Sequence, residues 1–122
     1  MKHELLLNGR DTTIDASFFI DNLNANPDTI ETDEYGHISV IEFDWRGERY
    51  IAWWRKYETV LRISPIGKGG LKKFPHYSAN LLKMGSALKR IDLDGLGVTV
   101  SIGFDECFEF KPELRITFYE EV

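Results

Sequence analysis

The stretch that most constrains the fold is His37 to Ser64, HISVIEFDWRGERYIAWWRKYETVLRIS, which holds all three tryptophans. Apolar and polar residues alternate along it, and its interruptions are too short for anything but hairpins. It reads as three consecutive antiparallel strands. With Arg46-Gly47 as a two-residue loop, Trp45 faces Glu48, Asp44 faces Arg49, Phe43 faces Tyr50 and Ile41 faces Ala52. Glycine supplies the positive φ that such a loop needs. With Lys56-Tyr57 as the second loop, Arg55 faces Glu58, Trp54 faces Thr59, Ala52 faces Leu61 and Tyr50 faces Ile63. Lys-Tyr suits a tight turn poorly, and a longer loop there would shift the register. The phase of alternation breaks near Val40-Ile41, which predicts a bulge.

Successive side chains on a strand point to opposite faces, so the pairing sorts the meander in two. Ile41, Phe43, Trp45, Tyr50, Ala52, Trp54, Leu61 and Ile63 form one face and must be core. Glu42, Asp44, Arg49, Ile51, Trp53, Arg55, Glu58, Val60 and Arg62 form the other. Asp44 with Arg49, and Arg55 with Glu58, are opposite-charge pairs worth roughly 0.2–1 kcal/mol each. On this second face Ile51, Trp53 and Val60 sit among charges. Either a helix covers them, or they form an exposed aromatic patch ringed by arginines, the kind of surface that marks a partner site.

The chain has 122 residues, 43% of them hydrophobic and 13% aromatic, which predicts one domain with a real core. No apolar run approaches the ~20 residues that span a bilayer, and the start, MKHELLLNGRDTT, does not read as a signal peptide. The single cysteine, Cys107, excludes an internal disulfide and reads as a strand thiol. Together these features predict a cytoplasmic protein. Charge is sorted along the sequence. Residues 1–45 carry ten acids and two bases, 46–90 carry two acids and eleven bases, and 91–122 carry eight acids and two bases. Such a layout either pairs neighbouring strands internally or leaves one acidic and one basic surface region.

Outside the meander, Lys2 to Leu7 reads as a strand. A helix is expected over Ala16 to Asn24, capped by Asp15 or Thr13, with Ala16, Phe19, Ile20 and Leu23 on one face and Asn26-Pro27 as its stop. A second is expected over Ala79 to Ile91, with Ser78 as cap and Leu81, Met84, Leu88 and Ile91 as buried stripe. Val98 to Phe104 and Leu114 to Glu120 alternate as half-buried strands, with possible short strands at Thr29 to Thr32 and Cys107 to Phe110. The expected fold is α+β: an antiparallel sheet of five to seven strands, with two helices packed on one face.

Motifs for chemistry are weak. The run Gly67-Lys68-Gly69-Gly70 lacks the spacing and the hydroxyl residue of a phosphate-binding loop. Neither the acidic connector Asp28 to Gly36 nor Asp92-Leu93-Asp94-Gly95 has the ligand order of a calcium loop. His3, His37 and His76 have no spacing that brings them together, and no zinc-protease, nucleophile-elbow or dinucleotide motif occurs. The reading is a protein without catalysis, cofactor or metal.

A compact, acidic α+β domain with no catalytic motif resembles the small cytosolic immunity proteins of bacterial toxin–immunity pairs. This is a likeness of class rather than of motif. It implies a basic protein partner such as a toxin nuclease, drawn in by acidic surface. The expected contacts are the loop carboxylates Asp28, Glu31, Asp33, Glu34, Asp105, Glu106 and Glu109, with Ile51 and Trp53 as apolar anchor. Two alternatives stand beside it. One is a nucleic-acid-binding domain using the basic 46–90 segment, with Trp53, Tyr57, Arg49, Arg55 and Arg62 in contact. The other is a small enzyme built on a histidine and a carboxylate.

Overall fold

A computed structural model describes residues 2–4, 14–56, 58–67, 72–90, 96–105 and 111–121. The elements, in chain order, are β1 (Lys2–Glu4), α1 (Ala16–Leu23), β2 (Asn26–Pro27), β3 (Glu31–Thr32), β4 (Ile38–Trp45), β5 (Glu48–Arg55), β6 (Val60–Pro65), α2 (Phe74–Lys89), β7 (Leu96–Asp105) and β8 (Lys111–Glu121). The fold is α+β, and every described strand pairing is antiparallel. β2 and β3 both lie along β4 and act as one interrupted edge, so the sheet amounts to seven strands. From one side to the other it runs β7, β8, β6, β5, β4, then β2 and β3; β1 pairs with the far end of β8.

The first hairpin forms as the sequence demands. Arg46 (φ 50°) and Gly47 (φ 81°) both adopt positive φ, and all four expected pairs hold. The second hairpin departs from expectation. Ala52 faces Ile63 rather than Leu61, and Tyr50 faces Pro65 rather than Ile63. The loop is longer than Lys56-Tyr57, because those residues do not favour the positive φ of a tight turn. A slip of two residues preserves the faces, so the inside–outside sorting survives it. The expected bulge at Val40-Ile41 is absent: β4 pairs with β5 without interruption from Ile38 to Trp45. Ser39, 2% exposed, takes the inward position, and Ile38 and Val40 lie half-buried on the other face.

All eight residues assigned to the core face of the meander are buried. Both helices cover that face. α1 delivers Phe19, which is fully buried against Phe43 and Trp54, and Leu23. Asp15 caps it by accepting from the Phe18 amide. It ends where Asn24 turns left-handed and donates its N–H to the Ile20 carbonyl, before Asn26-Pro27 is reached. The Trp45 indole donates to the Leu23 carbonyl at 2.9 Å and pins this helix end to β4.

α2 starts five residues earlier than its sequence pattern indicates. Pro75 sits in the first turn, where a missing amide costs nothing. Ser78 is therefore inside the helix and is not the cap. Leu81, Met84 and Leu88 form the buried stripe as expected, joined by Tyr77 and Asn80; Ile91 lies outside the described residues. Gly85 lets α2 approach the sheet closely, since a Cβ there would come within 2.8 Å of Val100 and 3.3 Å of Leu114.

Among the described residues no helix covers the opposite sheet face. The helix expected in one alternative to shield Ile51, Trp53 and Val60 is not found among the described residues. Both described helices, α1 and α2, pack on the Phe43–Trp54 side, where the core cluster lies. No helix among the described residues is long and apolar enough to cross a membrane.

Candidate functional site

The uncovered face is organised by rows that run across the strands. One row reads Glu31, Val40, Trp53, Arg62, Arg115, Ser101, each residue paired with the next through β3, β4, β5, β6, β8 and β7. Beside it, Glu42 faces Ile51, and Ile51 faces Ser64. The charges sort themselves along these rows, acids toward the β2–β3 edge and arginines across the middle.

At the centre, Trp53 is half-buried between two guanidinium groups. The Arg62 carbon lies 4.7 Å from its ring centroid and that of Arg55 lies 5.4 Å away. Glu58 holds both arginines, accepting from Arg55 and from Arg62 at 2.9 Å each. These hydrogen bonds, that of Arg62 first, hold the Glu58 carboxyl below the usual glutamate range. The chain of charge continues to Glu113, which lies 3.9 Å from the Arg62 Nε and accepts from the Arg115 Nε at 2.8 Å. The Arg115 guanidinium lies over Gly103, where a Cβ would come within 2.6 Å of it.

Toward the β2–β3 edge, Arg49 is held by three carboxylates: Asp28, Asp44 at 3.0 Å and Glu42 at 3.6 Å. Next to this cluster a cleft of about 280 Å³ is lined by Asp28, Thr29, Glu31, Val40, Glu42 and Ile51. Three carboxylates thus surround a floor of valine and isoleucine, and two of them, Asp28 and Glu42, share Arg49 with Asp44. The electrostatic character is acidic, and the floor is apolar. At the other end of the face a second cleft, of about 430 Å³, is lined by Asp33, His37, Ile38, Arg55, Lys56 and Glu58.

The structure brings together four of the nine anticipated contact residues. Asp28, Glu31 and Ile51 line one cleft, and Trp53 stands two residues along the same strand and face. Asp33 has a different task. Its Oδ1 accepts from the His37 amide at 2.6 Å and the Ile38 amide at 3.1 Å, bonds that hold its carboxyl below the ordinary range and close the turn into β4. Glu34 is exposed on that turn beside Tyr35, which is 72% exposed. Asp105 stands opposite Lys111 in the backbone register at the end of β7, while Glu106 and Glu109 lie outside the described residues. Sequence reasoning did not anticipate Val40 and Glu42 as cleft residues, nor Glu113 and Arg115 as part of the charge lattice. The false bulge removed Val40 from this face, and no local signal places β8 beside β6.

A histidine–carboxylate pair does exist away from this face. His76 Nε2 on α2 lies 3.0 Å from Glu48 Oε1 at the start of β5. Beneath it the buried Tyr50 hydroxyl accepts from the Asn80 amide at 3.0 Å. Both members of the pair are solvent-accessible, and they join helix to strand. Among the described residues no group of three or more His, Cys, Asp or Glu side chains converges as a metal site would.

The chain matches no protein-family model, no curated protein and no solved structure.

Proposed function

We propose that the chain is a non-catalytic protein-binding domain of the immunity or inhibitor type, acting in the bacterial cytoplasm on a basic protein partner such as a toxin nuclease. The observation that carries this reading is the uncovered sheet face with its acidic, apolar-floored cleft. An enclosed sheet would have a helix on each side; here no helix among the described residues covers one face, and that face is densely charged. A lysine or arginine of a partner would pair with Glu31 and share Asp28 and Glu42 with Arg49, and its stem would lie on Val40 and Ile51. Trp53 would supply the desolvated aromatic anchor beside it. The lattice of Arg49, Arg55, Arg62 and Glu58 holds the surface rigid before contact, which lowers the entropic cost of binding.

The nucleic-acid reading has less support on this face. Arg49, Arg55 and Arg62 are already engaged with carboxylates, which leaves less of their charge for phosphates. A capture experiment from the source cell's lysate tests the proposal. The double variant Glu31→Lys/Glu42→Lys should lose the captured basic protein, and Lys83→Glu on the helix side should retain it. Binding should also weaken as salt rises through the Debye range. Retention of every partner by the double variant, or retention of random oligonucleotides in place of a protein, contradicts the proposal.

A further inference from the structure

β7 is an edge strand without the usual protections. It pairs with β8 in unbroken register over ten residues, from Leu96 with Glu120 to Asp105 with Lys111. Among the described residues, nothing pairs with its outer side. Natural edges are blunted by charge, proline, bulges or shortness. From Leu96 to Phe104 this strand has no charged residue, no proline and no bulge. Exposed apolar surface gathers on the helix side of the same edge. Ile102 is 37% exposed, and Leu82 of α2, 59% exposed, borders a cleft of about 180 Å³ that it shares with Gly85, Ser86, Lys89, Val100 and Leu114.

The sequence of β7 names its own occupant. Leu-Gly-Val-Thr-Val-Ser-Ile-Gly-Phe, residues 96–104, is nearly symmetric in chemical type about Val100. We infer that β7 pairs antiparallel with β7 of a second copy, about a two-fold axis at Val100, giving a dimer with one continuous sheet. In that register Val98 faces Ile102 of the second copy, Thr99 faces its Ser101, and Gly97 faces its Gly103. Aliphatic residues meet on the helix side and hydroxyls on the uncovered face, and no like charges oppose each other. Such an isologous interface closes on itself, so it satisfies the edge without forming fibres.

The glycines fit this arrangement. The Tyr119 ring lies over Gly97, where a Cβ would meet it at 2.1 Å, as the Arg115 guanidinium lies over Gly103. Pairing Gly97 with Gly103 of the second copy sets a tyrosine of one chain beside an arginine of the other, twice, a cation–π geometry. Main-chain bonds of the added strands provide the affinity, as in other β-strand additions. The dimer leaves the acidic cleft at the opposite edge of the sheet open, so it is independent of the binding role proposed above.

Sedimentation equilibrium of the full chain, with two double variants, tests this. Thr99 and Ser101 are both exposed, so neither variant empties the core. Thr99→Glu/Ser101→Glu places carboxylates opposite each other in both symmetry-related pairs and should give the monomer of 14.1 kDa. Thr99→Lys/Ser101→Glu places opposite charges there and should keep the dimer, as the parent chain does. Circular dichroism of each variant should match the parent. A parent that sediments as a monomer at sub-millimolar concentration overturns the inference. So does a pair of variants that both dimerise or both dissociate, because then the contact is not this register of β7.

Discussion

At the scale of single residues, hydrogen-bond satisfaction separates two buried tyrosines that look alike in sequence. Tyr50 and Tyr77 are 0% and 1% exposed. The Tyr50 hydroxyl is bonded to Asn80, whereas the Tyr77 hydroxyl is buried beside Gly67 with no hydrogen-bond partner among the described residues. An unsatisfied buried hydroxyl costs about 1–3 kcal/mol, so Tyr77→Phe should leave stability unchanged or raise it by up to about that amount. Tyr50→Phe should instead cost about 1 kcal/mol by stranding the Asn80 amide. Urea midpoints of the two variants check both signs. A second residue-level expectation concerns acid. The Glu58 carboxyl is held below its usual range by Arg62 and Arg55. A carboxylate whose folded pKa is depressed contributes stability that is complete above its unfolded value, near 4.3, and is lost as pH falls through the lower folded value. Glu58→Gln should therefore reduce stability at pH 7 and flatten its decline below about pH 4.3, the unfolded value at which that loss begins. Parallel decline of variant and parent would show that the Glu58 lattice makes no net contribution.

At the scale of elements, the close approach of α2 to the β7–β8 ladder depends on Gly85. Alanine in a helix interior normally gains up to about 1 kcal/mol over glycine. At this position the new methyl group meets Val100 at 2.8 Å, so Gly85→Ala should destabilise by about 1–3 kcal/mol, the usual range for overpacking. A stabilised variant would show that α2 sits farther from the sheet. The elements also show where sequence patterns suffice. The first hairpin was legible because a tight loop needs positive φ, and Arg46-Gly47 offers a glycine there. The second was displaced by two residues because Lys56-Tyr57 carries no such signal. α2 is placed too late by sequence because Ser78 offers itself as a cap, whereas Pro75 fits the first turn of a helix that starts at Phe74. Of the candidate site, Asp28, Glu31, Ile51 and Trp53 were legible from charge and alternation. Glu113 and Arg115 were not, because their place beside Arg62 comes from a pairing between strands some fifty residues apart, and local pattern does not encode it.

At the scale of the whole molecule, the arrangement is a two-layer one with its asymmetry exposed. Two helices close one side of the sheet with aromatic and aliphatic packing, and charge and arginine-stacked tryptophan occupy the other. Adjacent tryptophans on β5 report the two sides separately, because neighbours on a strand point to opposite faces. Trp54 is fully buried and Trp53 half-buried. The most direct test is the unfolding free energy of Trp54→Ala against Trp53→Ala, measured by urea denaturation. The expected result is a loss of about 3–5 kcal/mol for Trp54→Ala and of under about 1.5 kcal/mol for Trp53→Ala. Equal losses at the two positions would mean that both sheet faces are closed and that Trp53 belongs to a core, which contradicts the assignment of the uncovered face as the binding surface.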